Sequence, residues 1–291
     1  MNESYGGAAI EPGVRPAPAS IVDPDNPPWG LLAAVLTWVG SFLLLVGIVN
    51  LVTLPYVFSK FKGETAAQLQ QFVKTDQTAV LLQILAVIPA HLLTLILVWA
   101  VVTGIGKRPF WRTLGWSWSE RFGFWKSAGL AVALLLIGGF VSSKMGGEKT
   151  QIDQIIANST AARYALALLA ATTAPLIEEL VYRGVLYSAF QRTIGMVWAV
   201  VLVSTLFSFV HVFQYYNNLG VIAVISILSI SLTLVRAYTG RLLPCFIMHM
   251  VFNGLQSLYI ILAPYIEKPD AGGEQKAQAL VLLARSLHGL L

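Results

Sequence analysis

Long apolar stretches that are almost free of charge occupy most of this chain of 291 residues and restrict its possible folds. A helix needs about 20 predominantly apolar residues to cross the hydrocarbon core of a bilayer. Only 11% of the residues are charged, whereas a soluble domain has about 25%. The pattern predicts an all-α protein, a polytopic membrane helix bundle with about seven transmembrane helices (six to eight). The predicted spans are residues 30–57, 78–103, 123–142, 161–192, 196–215, 219–237 and 242–263.

The distribution of these spans divides the chain into three regions. Residues 1–28 are rich in Pro, Ala and Gly and do not show the positive region and apolar stretch of a signal peptide, so we expect a disordered Pro-rich N-terminal tail. Residues 29–264 form the predicted membrane-embedded bundle. Residues 265–291 are interpreted as a polar tail with an amphipathic surface helix at 275–290, because charged and polar residues interrupt its leucines.

The net charge of +5 does not indicate a nucleic-acid partner, because the basic residues are scattered through short loops and form no single patch. Lys and Arg beside membrane spans are expected from topology and from lipid headgroups, so membrane lipids are predicted partners. Cys245 is the only cysteine, which excludes an intrachain disulfide and a cysteine metal cluster.

Two adjacent carboxylates, Glu178 and Glu179, lie in the apolar segment 161–192. An ionisable group at the centre of a membrane is unfavourable by about 2.5–3.5 kcal/mol on insertion scales, so such groups commonly mark functional sites. Glu179 precedes Arg183 by four residues, which predicts an ion pair between them. Glu178 points about 100° away on the helix and remains available for other chemistry. Pro175 is expected to bend the helix just before the acids.

Polar side chains in later spans are candidates to meet Glu178. His211 lies in the fifth span, and His249 and Asn253 share one face of the seventh because they are four residues apart. If Gly195 marks a turn, Glu178 and His211 both lie roughly 24 Å from it, at about 1.5 Å per residue. His249 lies roughly 14 Å deep from the same membrane side. We expect these side chains to share one cavity.

Three motifs in chain order resemble those of the CPBP family. This family comprises the type II CAAX prenyl endopeptidases and the bacterial Abi or bacteriocin-processing relatives. The motifs are Glu178-Glu179-Leu180-Val181-Tyr182-Arg183 (EExxxR), Phe207-x-x-x-His211 and His249-x-x-x-Asn253. The resemblance covers about residues 165–255, within a motif core that we assign to 161–255.

The resemblance implies a fully α-helical intramembrane endopeptidase that hydrolyses a peptide bond with a glutamate-activated water. By this analogy Glu178 is the general base and His211 binds and polarises the water. His249 and Asn253 would stabilise the oxyanion. The supporting residues would be Glu179, Arg183 and Phe207. The expected substrate is a peptide or a lipidated protein, and the expected location is a multi-pass position in a bacterial cytoplasmic membrane.

No cofactor is expected, because the resemblance implies a mechanism that is independent of metal. Zinc is the alternative, since Glu178, Glu179, His211 and His249 carry oxygen and nitrogen atoms that zinc accepts. The HExxH spacing of membrane zinc proteases is absent from the chain, however. A serine protease is not indicated either, since no GxSxG motif accompanies a catalytic histidine.

The alternative function is non-catalytic. Buried acids and histidines also build proton relays, so the cluster could belong to a transporter. It could equally join helices through hydrogen bonds in an immunity or assembly protein. His91 lies in the second span without a partner that the sequence reveals, and its expected role is packing or a helix contact.

Overall fold

The computed structural model describes residues 23–148 and 150–266, and all the regular elements in these two ranges are helical. The α-helices of the described residues are α1 (Leu31–Lys60), α2 (Ala66–Thr75), α3 (Gln77–Thr103), α4 (Phe110–Thr113), α5 (Phe124–Met145), α6 (Gln151–Asn158), α7 (Thr160–Ala171), α8 (Thr173–Glu179), α9 (Tyr187–Ile194), α10 (Met196–Tyr215), α11 (Leu219–Thr239) and α12 (Leu243–Ile266). A π-helical segment, Leu180–Leu186, joins α8 to α9.

Seven helical units in the described part of the chain are long and apolar enough to cross a membrane. They are α1, α3, α5, the stretch Thr160–Ile194, α10, α11 and α12. Their exposed side chains include many large apolar ones, such as Leu32, Phe42 and Leu136, which suit contact with lipid chains. The predicted all-α bundle of about seven spans is therefore confirmed, and the chain is an integral, multi-pass membrane protein. Its bacterial origin stays a prediction.

Short helices also occupy two polar segments between the predicted spans. α2 begins with a capping box, in which Thr65 accepts a hydrogen bond from the Gln68 backbone and the Gln68 side chain accepts one from the Thr65 backbone. α6 begins in the same way at Thr150 and Asp153. These reciprocal bonds satisfy N–H groups that have no partner within the helix. Hydropathy alone missed both helices because they are too polar and too short to span a membrane.

The outer boundaries of the bundle differ from those expected. Residues 23–28, which the sequence assigns to a disordered tail, pack against the bundle. Asp25 Oδ1 accepts a hydrogen bond of 2.6 Å from the fully buried Arg236, whose charge would otherwise lack a counterion. The buried indole of Trp29 donates to the Val185 carbonyl at 3.0 Å, which ties the start of α1 to the π-helical segment.

Two of the predicted regions fall largely beyond the part of the chain that the structure covers. Residues 1–22 of the predicted tail and the whole of the predicted surface helix at 275–290 lie outside the described residues. At the C-terminal side of the bundle, α12 extends to Ile266, two residues beyond the predicted boundary at 264.

The fourth spanning unit is interrupted about two turns before the two acids. α7 ends at Ala171, and Thr172 has the non-helical torsion angles φ −124° and ψ −77°. Pro175 lacks the N–H that would bond to the Ala171 carbonyl, which explains the predicted bend. The sequence predicts this interruption, but it does not predict the π-helical winding of Leu180–Leu186, in which hydrogen bonds join residues five apart.

The π-helical segment occupies the centre of the bundle. All seven of its residues are buried, and it packs against α1, α3 and α10. A Cβ atom at Gly184 would lie 3.0 Å from Leu114 Cδ2 and 3.3 Å from Leu242 Cδ2, so the backbone approaches its neighbours closely here. This packing fixes the position of Glu178 and Glu179 at the N-terminal end of the segment.

Candidate active site

Glu179 and Arg183 form a fully buried ion pair. Arg183 Nη1 donates to Glu179 Oε1 at 2.9 Å, as the spacing of the two residues predicts. The same guanidinium donates to α11, through Nη2 to Ser229 Oγ at 2.8 Å and through Nε to Thr233 Oγ1 at 3.2 Å. A buried charge is tolerated when it is both paired and hydrogen-bonded, and these contacts meet that requirement for the Arg183 guanidinium. No motif in the sequence marks Ser229 or Thr233 as partners of Arg183.

His249 lies between the two glutamates and is only 2% exposed. Its Nδ1 is 2.8 Å from Glu179 Oε1, and its Nε2 is 3.7 Å from Glu178 Oε2. Because the Glu179 carboxylate accepts the shorter bond, Nδ1 carries a hydrogen. This bond orients the ring, in the way that carboxylates orient functional histidines in other sites, and directs Nε2 towards Glu178. The sequence did not predict the contact with Glu179.

His211, like His249, carries a hydrogen on Nδ1, but its partner is a backbone carbonyl and not a carboxylate. Its Nδ1 is 2.8 Å from the Phe207 carbonyl oxygen, one turn earlier in α10. A carbonyl oxygen can only accept, so Nδ1 donates and Nε2 is the acceptor in the neutral ring. His211 can therefore present a lone pair to a ligand, whereas His249 can present an N–H when its ring is protonated.

Phe207 is the aromatic centre of this cluster. Its ring centroid lies 4.8 Å from that of His211 and 6.1 Å from that of His249. The guanidinium carbon of Arg183 lies 4.7 Å from the same centroid, within the range of a cation–π interaction. The Tyr182 ring packs against it edge-on at 5.0 Å. Phe207 thus connects both imidazoles to the buried ion pair by packing.

Glu178, His211, His249 and Asn253 line one cavity of about 130 Å³. At about 30 Å³ for each molecule in the liquid, this volume holds a few waters. The Glu178 side chain is 28% exposed, whereas Glu179 is fully buried, so Glu178 is the acid that a ligand can reach. The structure brings together the four residues predicted to be catalytic.

The depths estimated from the sequence differed by about 10 Å between Glu178 and His249, yet their side chains approach to 3.7 Å. The π-helical segment, which separates Glu178 from the turn at Gly195, accounts for part of the difference between the estimated depths and the observed distance. A π-helix places more residues in each turn than an α-helix, so Glu178 lies nearer to the turn than a regular helix would allow. Hydropathy and spacing carry no signal for this winding.

Asn253 is held by the interrupted helix. Its Nδ2 donates to the Ala170 carbonyl at 3.1 Å, in the last turn of α7 beside the break at Thr172. Carbonyls at a helix end lack an intrahelical donor, so this bond stabilises the interruption. One of the two amide hydrogens of Asn253 is engaged in this way, and the other is available to the cavity. The motif alone did not reveal the contact.

Comparison with known proteins identifies a segment that holds most of the residues lining this cavity. Residues 160–255, about a third of the chain, match the family described as Type II CAAX prenyl endopeptidase Rce1-like. This segment is similar to that family, and we call it the Rce1-like segment. The match confirms the resemblance to the CPBP family, and it includes all seven residues predicted for the site. No curated protein and no solved structure matches the chain. The family is one of proteases, so it links the chain to hydrolysis of peptide bonds.

A second cavity, of about 190 Å³, reaches Glu178 of the Rce1-like segment from the side of α1 and α3. His91 and Tyr182 line it together with Glu178. His91 Nδ1 lies 3.0 Å from Thr173 Oγ1, and Trp38 Nε1 donates to the Tyr182 hydroxyl at 3.0 Å. The helix contact expected for His91 is present, but its proximity to the acid was missed because no motif surrounds it.

The alternative zinc ligands all lie in the Rce1-like segment: Glu178, Glu179, His211 and His249. In the described parts of the chain, no three His, Cys, Asp or Glu side chains are grouped so that they could hold a metal ion. His249 Nδ1 and His211 Nδ1 both bond to protein oxygens, which leaves only the Nε2 atoms for a ligand. Independence from a cofactor stays a prediction.

Proposed function

We propose that this protein is an intramembrane endopeptidase of the CAAX-protease type, in which Glu178 activates a water molecule to hydrolyse a peptide bond. The observation that carries the proposal is the position of His249 between the two acids. Its Nδ1 is bonded to the buried Glu179, and its Nε2 faces the accessible Glu178 at 3.7 Å. A base and an oriented imidazole, which donates from Nε2 when it is protonated, therefore meet in one cavity that can contain water.

In the first proposed step, water attacks the carbon of the scissile carbonyl while the Glu178 carboxylate accepts a proton from it. A positioned carboxylate acts as a general base when it lies within reach of the proton, directly or through one water. His211 Nε2 accepts a hydrogen bond from the other hydrogen of the same water. This bond orients the attacking oxygen, since Nδ1 of the ring is held by the Phe207 carbonyl.

Attack moves negative charge onto the former carbonyl oxygen. His249 Nε2–H and the available amide hydrogen of Asn253 donate to this oxygen. Donors that are already oriented stabilise such a charge without reorganisation, and removing one of them typically lowers kcat by about 10²–10³. The bond from Nδ1 to Glu179 holds the ring so that Nε2 points into the cavity, and this role requires that Nε2 also carries a hydrogen.

In the second step, the proton held by Glu178 passes to the leaving nitrogen as the carbon–nitrogen bond breaks. The products are a carboxylic acid and an amine, and the Glu178 carboxylate is regenerated. The proposed substrate is a membrane peptide or a lipidated protein, because the cavity lies among spanning helices.

The decisive experiment compares Glu178→Gln with the wild-type protein on an S-prenylated CAAX-type peptide in detergent micelles. Glutamine keeps the size of the side chain but its amide does not act as the base, so cleavage should fall at least 10²-fold, the lower end of the range for general base catalysis. Glu120→Gln, an exposed substitution of the same kind, is the matched control and should keep full activity. Cleavage by Glu178→Gln at the wild-type rate would defeat the proposal.

A cellular experiment addresses the native substrate and the non-catalytic alternative. Quantitative proteomics of membrane fractions should reveal uncleaved precursors in cells that carry Glu178→Gln. A proton relay needs no peptide substrate and would partly tolerate Glu178→Asp. Identical precursor profiles, together with transport that survives in Glu178→Asp, would favour the relay.

A further inference from the structure

The wall of the catalytic cavity contains two buried polar side chains that the proposed mechanism does not use. Gln256 and Ser257, both in α12, are 7% and 4% exposed. Among the described residues, neither Gln256 Nε2 nor Ser257 Oγ has a hydrogen-bond partner. Buried polar groups are normally hydrogen-bonded, and leaving one unsatisfied is unfavourable. Two such groups on one cavity wall therefore indicate a ligand that bonds to them.

These residues continue the functional face of α12. They follow Asn253 by three and four residues, the spacing of neighbours on one helix face. They follow His249 by seven and eight residues, which corresponds to roughly 10–12 Å along the helix. An extended peptide advances about 3.3 Å per residue, so this distance equals about three residues of substrate.

The chemistry of the cavity restricts the ligand. The walls beside the pair are apolar and include Ile152, Leu166 and Ile260, and the described lining contains no Lys or Arg that could balance a carboxylate. The amide N–H of Gln256 and the hydroxyl of Ser257 are neutral donors. Such donors suit the carbonyl oxygens of a peptide main chain, whose apolar side chains would contact the walls.

We propose that Gln256 and Ser257 form a peptide-binding subsite and donate hydrogen bonds to main-chain carbonyls of the substrate, about three residues from the scissile bond. The inference rests on the proposed function and deepens it, because it names the substrate as an extended, uncharged and apolar peptide segment. Gln256 and Ser257 bind and position this segment, whereas Glu178 and the histidines act at the scissile bond.

Binding can be measured without cleavage in the Glu178→Gln background. The probe is a fluorescent, S-prenylated peptide with four apolar residues on either side of the scissile bond, in detergent micelles. Gln256→Met keeps a similar side-chain length without the donor, and Ser257→Ala removes only a hydroxyl. Each should raise the Kd about three- to tenfold, the effect of one neutral hydrogen bond. The control is Ser226→Ala, whose hydroxyl bonds to the Ile222 carbonyl in its own helix, outside the cavity.

A series of peptides shortened by one residue at a time from each end separates binding from a structural effect. In the Glu178→Gln protein, affinity should fall abruptly when the residue that supplies the bonded carbonyl is removed. In the protein that also carries Gln256→Met, this abrupt fall in affinity should be absent. A purely structural role of Gln256 would weaken the binding of all the peptides by the same factor and would overturn the subsite.

The outcomes distinguish the subsite from the proposed function. If the peptides bind with the expected dependence on Gln256 but the wild-type protein cleaves none of them, the proposed function fails and the subsite stands. If the wild-type protein cleaves them and Gln256→Met leaves the length dependence unchanged, the subsite alone fails. If no peptide binds, the subsite is overturned. The proposed function is then tested separately, by whether the wild-type protein cleaves any of the peptides.

Discussion

Glu179 Oε1 and His249 Nδ1 lie 2.8 Å apart in the interior of the bundle, although 70 residues separate them in the chain. This bond connects the EExxxR motif of α8 and the π-helical segment to the HxxxN motif of α12. The two adjacent glutamates consequently have different surroundings. Glu179 is enclosed by Arg183 and His249, whereas Glu178 faces the two cavities.

Glu179→Gln should destabilise the protein far more than Glu178→Gln. The substitution leaves Arg183 without its carboxylate in a fully buried position, and breaking a buried pair on one side typically destabilises by about 3–5 kcal/mol. Glu178 is partly exposed and, among the described residues, its ion-pair contact is the one with His249 at 3.7 Å, so its substitution should change stability by less than about 1 kcal/mol. Unfolding in mixed micelles, followed by circular dichroism, measures both. Equal stability of the two variants would contradict the assigned difference.

Phe207→Leu should lower both stability and turnover. The substitution removes the ring that contacts the Arg183 guanidinium and both imidazoles, and a desolvated cation–π contact alone contributes about 2 kcal/mol. Phe209→Leu, on the exposed face of the same helix, is the matched control and should have little effect. Thermal unfolding and the rate of peptide cleavage are the measurements. If the two variants behave alike, Phe207 does not support the site.

Peptide cleavage by the purified protein should be unaffected by chelators, and metal analysis should detect no stoichiometric zinc. The physical reason is that Glu178 and His211 can activate water without a Lewis acid in the proposed reaction. Both Nδ1 atoms of the site histidines already bond to protein oxygens. Complete loss of activity in chelator, restored by zinc alone, would instead establish a metal-dependent enzyme.

Asp25→Asn should weaken the attachment of residues 23–28 to the bundle. The substitution removes the carboxylate that pairs with the buried Arg236. We expect a loss of about 1–2 kcal/mol, smaller than for a fully buried pair, because the Asp25 side chain is 29% exposed. Asp23→Asn removes the same charge from an exposed position and serves as the control. Limited proteolysis before Trp29 is the measurement. It should be faster in Asp25→Asn than in the wild-type protein and unchanged in Asp23→Asn, and equal rates in the two variants would contradict the prediction.

The features that the sequence predicted correctly depend on local patterns. Hydropathy indicated seven spans, because each span must be apolar over its own length whatever its neighbours are. The spacing of Glu179 and Arg183 indicated their ion pair, since residues four apart meet on any α-helix or nearly α-helical turn. Pro175 indicated the bend for the same local reason.

The errors and omissions concern contacts between distant segments. Residues 23–28 are polar and rich in proline, and their packing depends on Arg236 of a helix more than 200 residues later. His91 had no visible partner because Thr173 and Glu178 approach it only after α3 packs against α8. Gln256 and Ser257 were not singled out, since an unsatisfied hydrogen-bonding atom is recognised only when all of its neighbours are known.

By itself, the sequence determined the helical membrane class of the chain and the order of the three motifs, because both follow from residue types and short spacings. The tertiary structure decided which acid orients the His249 imidazole and which acid faces Nε2 of the same ring. That choice depends on the π-helical segment Leu180–Leu186 and on how α12 packs against α8. The winding of one helix and the packing of another set the distance from His249 to both glutamates, and neither is encoded in the spacing of the residues themselves.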